Sequence, residues 1–299
     1  MKLGVIVPQG WTGEYDGWEP ERAWARTVEV ARQAERIGAE SIWMFDHFHT
    51  VPRPTDEITL ESFTSLAALA AHTERLRLGQ IVICNGFRNP ALTAKMAATL
   101  DTISGGRFEL GIGAGWKRDE WNAYGYGFPE TKVRLAMLHD ALEVIGRMLE
   151  GDRAVHATYR GEHHSVADAR NVPKPIQPSG MPIMVGGNGP KVTWRLAARY
   201  ADELNLDGLS PDELREALPT IRSRCEEIGR DPETLSISVH LWWGMPDWQE
   251  AGRLRQQFLA DYAELGVARV MGLLPESAES DAALDELAED ARAAGLELA

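Results

Sequence analysis

Apolar residues along the chain recur in two alternating rhythms. Short runs of strand character lie at 2–8 (KLGVIVP), 41–45 (SIWMF), 76–84 (LRLGQIVIC) and 107–112. Each is followed by a stretch whose apolar positions fall three and four residues apart, the spacing that gathers them on one helix face. The helices so predicted span 21–37, stopped by Gly38, then 60–74, then 90–103, opened by Pro90, and 131–149. The second half keeps the rhythm, with strands at 182–185, 203–206, 235–243 and 268–273 and helices at 192–200, 211–228, 249–265 and 282–294. Eight strand–helix units in 299 residues imply a parallel sheet with helices outside, closed as a (β/α)8 TIM barrel. A doubly wound open sheet is the structural alternative.

No linker divides the pattern, so residues 1–299 read as a single TIM-barrel domain. One segment interrupts it. Residues 151–179 carry short strand-like pieces and three prolines between helix four and strand five. The expectation is an insertion over the barrel mouth, built from a hairpin and an extended arm.

Composition narrows the function. Forty-five acidic against thirty-one basic residues give a net charge of −14, which disfavours nucleic acid as a partner. No run approaches the length of a membrane helix. The opening MKLGVIVPQG is too short an apolar run for a signal peptide and fits a first core strand. Two cysteines, Cys84 and Cys225, form no CxxC pair, so a reducing, cytoplasmic setting is expected.

Barrel enzymes carry their chemistry at the C-terminal ends of the strands. There the sequence sets DHFH (residues 46–49), GIGAGW (111–116) and VGGNGP (185–190). His47 at a strand end suits a general acid or base near neutral pH, with Asp46 beside it to bond a ligand donor. The HxH pair His47 and His49 also raises a metal, but strands five and eight end without further ligands, so none is expected. In VGGNGP, the glycines Gly186, Gly187 and Gly189, with Asn188, precede a helix start, a place for a phosphate or simply a tight turn. The GIGAGW glycines offer bare backbone to a planar ring, or else pack against a neighbouring strand. Trp11, Trp116, Trp242 and Trp243 suggest an aromatic-walled pocket for an apolar or planar small-molecule substrate. His163 and His164 read as a solvated face of the insertion.

Over essentially its whole length the chain resembles the luciferase-like monooxygenase superfamily, in its branch using coenzyme F420, a deazaflavin. SIWMFDHF, FRNPALTAKMAATLDTISGGRFELGIGAGW and YGYGFP carry the resemblance. It implies a hydride-transferring oxidoreductase, commonly a homodimer, with the coenzyme at the barrel mouth. Asp46 and His47 match an Asp-His pair at the redox centre, where the histidine moves a proton or stabilises an intermediate. A non-proline cis peptide on strand three maps to Ile81–Val82. Cys84, Asn85, Gly113, Ala114, Gly115 and Tyr124 fall among the implied coenzyme contacts, with Asn85 at the pyrimidine edge. Trp116 stands where the sugar-phosphate dehydrogenases of this family have a proton-donating glutamate, so that acid and that substrate do not carry over. Glu14, Asp16 and Glu120 are candidate replacements. Arg88, Lys117, Arg118 and Lys191 are candidates for a basic groove around an acidic coenzyme tail. FMN-dependent monooxygenation and non-catalytic flavin binding are the rival readings.

Overall fold

In a computed structural model, which describes residues 1–150, 156–242 and 245–298, the strands close into a barrel. The first half runs β1 (Lys2–Ile6), α1 (Pro20–Ile37), β2 (Ser41–Met44), α2 (Ser62–His72), β3 (Arg77–Gln80), β4 (Ile83–Cys84), α3 (Pro90–Ser104), β5 (Phe108–Gly113), α4 (Arg118–Ala123) and α5 (Thr131–Leu149). A hairpin, β6 (His156–Arg160) and β7 (Ser165–Arg170), follows. The second half runs β8 (Ile183–Gly186), α6 (Thr193–Tyr200), β9 (Glu203–Asp207), α7 (Pro211–Glu226), β10 (Ser236–Leu241), α8 (Pro246–Gln249), α9 (Arg253–Glu264), β11 (Arg269–Leu273) and α10 (Ala282–Ala293). All barrel pairings are parallel, and β3 pairing with β5 completes the ring.

Local chemistry sets the boundaries. Pro90 opens α3 after Asn89, whose side chain accepts the Ala91 N–H, and Gly105 ends it in a left-handed conformation. Ser210 and Glu213 form a reciprocal capping box on α7. Inside the barrel, Trp43 is fully buried and occupies the space a side chain on Gly79 would need.

Three expectations need correction. The run 76–84 is not one strand: the Ile81–Val82 peptide is cis, and the chain pairs with β2 and β5 before it and with β5 after it. The helix expected at 249–265 starts only at Arg253, after Gly252, whose φ of 93° is not helical, and a short separate helix ends at Gln249. The insertion contains a hairpin and an arm, and none of its described residues lines the strand-end cleft. Asp140 on α5 accepts the Tyr159 hydroxyl and the His163 N–H, at 2.8 and 2.7 Å, and fastens the hairpin outside the helices. The arm then bonds through Gln177 to Asp101 and to the Phe108 carbonyl, at the opposite end of β5 from the mouth. Residues 151–155 of that expected segment lie outside the described residues.

Candidate functional site

The C-terminal strand ends surround a cleft of about 750 Å³, within the usual range for a small-molecule site. Of the residues singled out in the sequence, Trp11, Asp46, His47, Ile81, Val82, Cys84, Gly113–Trp116, Gly186–Gly189 and Trp242 line it. Asn85 is buried in a short turn and Tyr124 is exposed, its hydroxyl bonded to the Phe48 carbonyl; neither lines the cleft. Trp243 lies outside the described residues.

His47 and Asp46, adjacent in sequence, do different things. The Asp46 carboxylate is buried and fully engaged. Arg88 grips it through both terminal nitrogens at 2.7 and 2.8 Å, while the Ser62 hydroxyl and Cys84 N–H add bonds of 3.1 and 2.9 Å. Four donors saturate a carboxylate, so the expectation that Asp46 bonds a ligand donor gives way to an anchor that ties β2 to the turn after β4. The ion pairs with Asp46 and Glu61 hold the Arg88 guanidinium in its charged form against the pull of burial. Arg88 is therefore inside the fold and not part of a basic groove.

His47 instead pairs with Glu120, which is fully buried on α4. Its Nδ1 lies 2.8 Å from Glu120 Oε2, and Oε1 accepts the Phe48 N–H at 2.6 Å. This fixes the ring and leaves Nε2 for the cleft. Trp11 stacks on the imidazole at 4.7 Å, nearly parallel, and Trp116 meets it edge-on at 5.8 Å. Of the three candidate acids only Glu120 lines the cleft. Glu14 accepts the Thr12 N–H, and burial raises its pKa. Asp16 is exposed, next to Gly13. His49 bonds the Thr50 carbonyl, and no metal-binding cluster occurs among the described residues.

Side chains on the glycines of GIGAGW would collide with protein, while the backbone of Gly113–Gly115 lines the cleft. A methyl on Gly111 would meet the Gln80 carbonyl, one on Gly113 would meet Val82, and one on Gly115 would meet Cys84 and Trp121. Val82 also fills the space beside Gly186. Its side chain thus forms part of the cleft floor, brought there by the turn at the cis bond. The Cys84 thiol behind it is pushed up by burial and by the nearby Asp46 and Glu120 charges, and stays neutral.

Toward the VGGNGP turn the wall becomes polar. Arg134 on α5, absent from the sequence reading, lines the cleft with Thr131 and Thr193. It is 8% exposed and bonds the Gly115 and Pro129 carbonyls and the Thr131 hydroxyl. Among the described residues no carboxylate lies within ion-pairing distance of it. A buried guanidinium so placed, beside the glycines before α6, suits an anion such as a phosphate. Of the residues expected in a basic groove, Lys117 pairs with Asp119, Arg118 lies over Phe128 beside Arg134, and Lys191 borders a separate outer hollow of about 400 Å³.

A second polar group faces the cleft from β9 and β10. His240 sets Nδ1 2.7 Å from Asn205 Oδ1 and Nε2 3.1 Å from Asp207 Oδ1. Position at the end of the sixth strand marks Asp207 in the sequence, and Asn205, two residues earlier, shares its face.

A family model described as luciferase-like monooxygenase matches residues 1–297. An F420-dependent glucose-6-phosphate dehydrogenase of Kineococcus radiotolerans is 36% identical over 219 residues, 72% of this chain. The match spans 63% of that relative's length. An F420-dependent secondary alcohol dehydrogenase, solved with an F420–acetone adduct, superposes with a TM-score of 0.80 at 20% identity over 98% of each chain. The F420-dependent tetrahydromethanopterin reductase of Methanopyrus kandleri gives 0.74 at 18% over 97% of each. At these identities the solved structures speak to the barrel fold alone.

Proposed function

We propose that this chain, which belongs to the luciferase-like monooxygenase family, is an oxidoreductase that uses coenzyme F420. It would move a hydride between the deazaflavin and a small, largely apolar or aromatic organic substrate. The observation that carries this reading is the His47–Glu120 pair set into a mostly apolar cleft at the strand ends. The names of the relatives supply the coenzyme.

The residues present fit such a coenzyme. Arg134, Thr131, Thr193 and the turn from Gly187 to Gly189 would hold its phosphate, and Val82 with Gly113–Gly115 would support the ring. When bound, the deazaflavin supplies the hydride chemistry. The protein binds, orients and handles the proton. With Nδ1 committed to Glu120, His47 presents Nε2 to accept or return the proton of a reacting hydroxyl. The buried Glu120 carboxylate keeps that ring oriented toward the cleft. Trp11, Val51 and Trp242 keep water from the reacting carbon. A homodimer in a reducing compartment completes the proposal.

The test is fluorescence titration of the purified protein with F420 and, separately, with FMN. Tight F420 binding with weak FMN binding supports the proposal. The reverse moves the chain to flavin-dependent monooxygenation, and binding of neither overturns both.

A further inference from the structure

The cleft has a second polar group that the reading above does not use. It is Asp207 at the end of β9. Its backbone N–H donates to Asn188 Oδ1 at 2.9 Å, and its carbonyl accepts from Asn188 Nδ2 at 2.8 Å, so the turn before α6 fixes its main chain. Its Oδ1 accepts the Trp242 indole N–H at 2.9 Å and lies 3.1 Å from His240 Nε2. His240 is in turn held by Asn205, whose amide donates to the Ser238 hydroxyl. Both bonds fall on Oδ1, and Oδ2 has no partner among the described residues. The side chain is 53% exposed while lining the cleft.

The charges around it are also informative. Among the described residues, the only lysine and arginine lining the cleft are Lys117 and Arg134, on the segments after β5. Lys117 is spent on Asp119. The wall built by Trp11, Phe45, Val51, Asp207, His240 and Trp242 contains neither, and its histidine is engaged by Asp207. An anion on this wall would meet carboxylate lone pairs and find no free cation. A hydroxyl or ammonium would meet an acceptor already held in place, so little ordering remains for binding to bring about.

We propose that Asp207 Oδ2 is a substrate-recognition site that takes a hydrogen-bond-donating group, hydroxyl or ammonium, at the end of the substrate remote from the reacting carbon. The substrate class is then an uncharged or cationic molecule with an apolar body, not a phosphate ester or carboxylate. This deepens the oxidoreductase reading and rests on it only for the claim that the substrate reacts at His47. The recognition site itself is measurable without coenzyme.

The probes are three ring ketones of similar size: cyclohexanone, 4-hydroxycyclohexanone and 4-oxocyclohexanecarboxylate. Each is titrated into coenzyme-free protein, read by intrinsic tryptophan fluorescence and by calorimetry. The hydroxyl compound should bind about 10-fold tighter than cyclohexanone, as one hydrogen bond to a charged acceptor provides. The carboxylate should bind more weakly than either. D207N, which keeps an acceptor for Trp242, should improve carboxylate binding at least 5-fold. D207A should erase the hydroxyl preference, with cyclohexanone binding as the check that its cleft is intact. Equal or tighter binding of the carboxylate to the unaltered protein overturns the proposal, as does a hydroxyl preference that survives D207A, or no hydroxyl-dependent gain at all, failure of all three ketones to bind included. Failure of F420 to bind would remove the oxidoreductase reading while leaving these titrations fully readable.

Discussion

Glu120 Oε2 lies 2.8 Å from His47 Nδ1, joining the end of β2 to a helix 73 residues later in the chain. The carboxylate has no exposed surface and a second bond to the Phe48 N–H, so it has one place to be. A buried anion held in this way fixes which imidazole nitrogen turns to the cleft.

Loss of the imidazole and loss of its partner should therefore differ in degree. H47A should lower kcat by about 10²-fold or more, the range for a positioned acid–base group, with coenzyme affinity within a few-fold of the unaltered protein. E120Q should lower kcat by about 10-fold or more while KM changes little, because the amide keeps the shape but not the charge. Steady-state kinetics with coenzyme Kd from fluorescence separates these. Unchanged kcat in H47A would place the chemistry elsewhere.

Arg134 should govern coenzyme affinity rather than turnover. R134M removes a buried cation that no described carboxylate neutralises, and should weaken coenzyme binding by about 10- to 100-fold, the worth of about 1.5–3 kcal/mol for a charged hydrogen bond. Its affinity should also lose salt dependence. The check is Kd at two ionic strengths, and equal Kd in the two proteins would remove Arg134 from the anion site.

At the opposite end of the barrel, two buried glutamates share Arg269 but should behave oppositely. Burial pushes Glu109 up, but Arg269 at 2.9 Å together with Arg77 outweighs it, and its pKa is lowered on balance. Glu203 is raised, chiefly by burial, because Arg269 stands 3.7 Å away and Glu109 repels it. A lowered carboxylate contributes stability above its unfolded pKa of about 4.3, and that stability is lost as pH falls through the folded value. A raised one contributes below its unfolded pKa and loses that as pH rises through the folded value. At pH 7, E109Q should therefore destabilise by about 3 kcal/mol or more, as broken buried pairs do, while E203Q should be neutral or stabilising. Urea unfolding of both variants at pH 7 and pH 5 tests the contrast, and a larger loss in E203Q would refute it.

The glycines after β5 predict a separation of stability from binding. Gly115 has φ +76°, and a methyl there would lie 2.3 Å from Cys84 Sγ, so G115A should destabilise by about 2 kcal/mol or more. Gly113 has an ordinary backbone, and its methyl would press on the Val82 side chain at 2.8 Å. G113A should cost less stability but shift the cleft floor, weakening coenzyme binding about 10-fold. Thermal melts paired with coenzyme titration distinguish the two, and normal coenzyme affinity in G113A would detach Val82 from the ring site.

Much of this molecule was legible in order along the chain. Apolar periodicity reported most barrel strands and most helices, because a strand or helix buries its own stripe whatever its neighbours are. Residues 131–149 come out as a helix with the expected ends. Motifs at strand ends named most of the cleft wall, since a parallel barrel brings every such end to one rim. Pairing was not legible. DHFH offered Asp46 and His47 as neighbours, yet Asp46 turns to Arg88 and His47 to Glu120, because successive residues at a strand end point to different faces. The three spaced glycines suggested an open wall, and only packed side chains revealed Val82, Cys84 and Trp121 in that space. Arg134 on a helix and Asp207 with His240 on two strands carry no local motif. Their roles arise where the closed barrel brings a buried cation and a braced carboxylate to one cavity. The order of residues therefore determined the elements and the rim they share, while long-range hydrogen bonding and desolvation decided which rim side chains remained free to do chemistry.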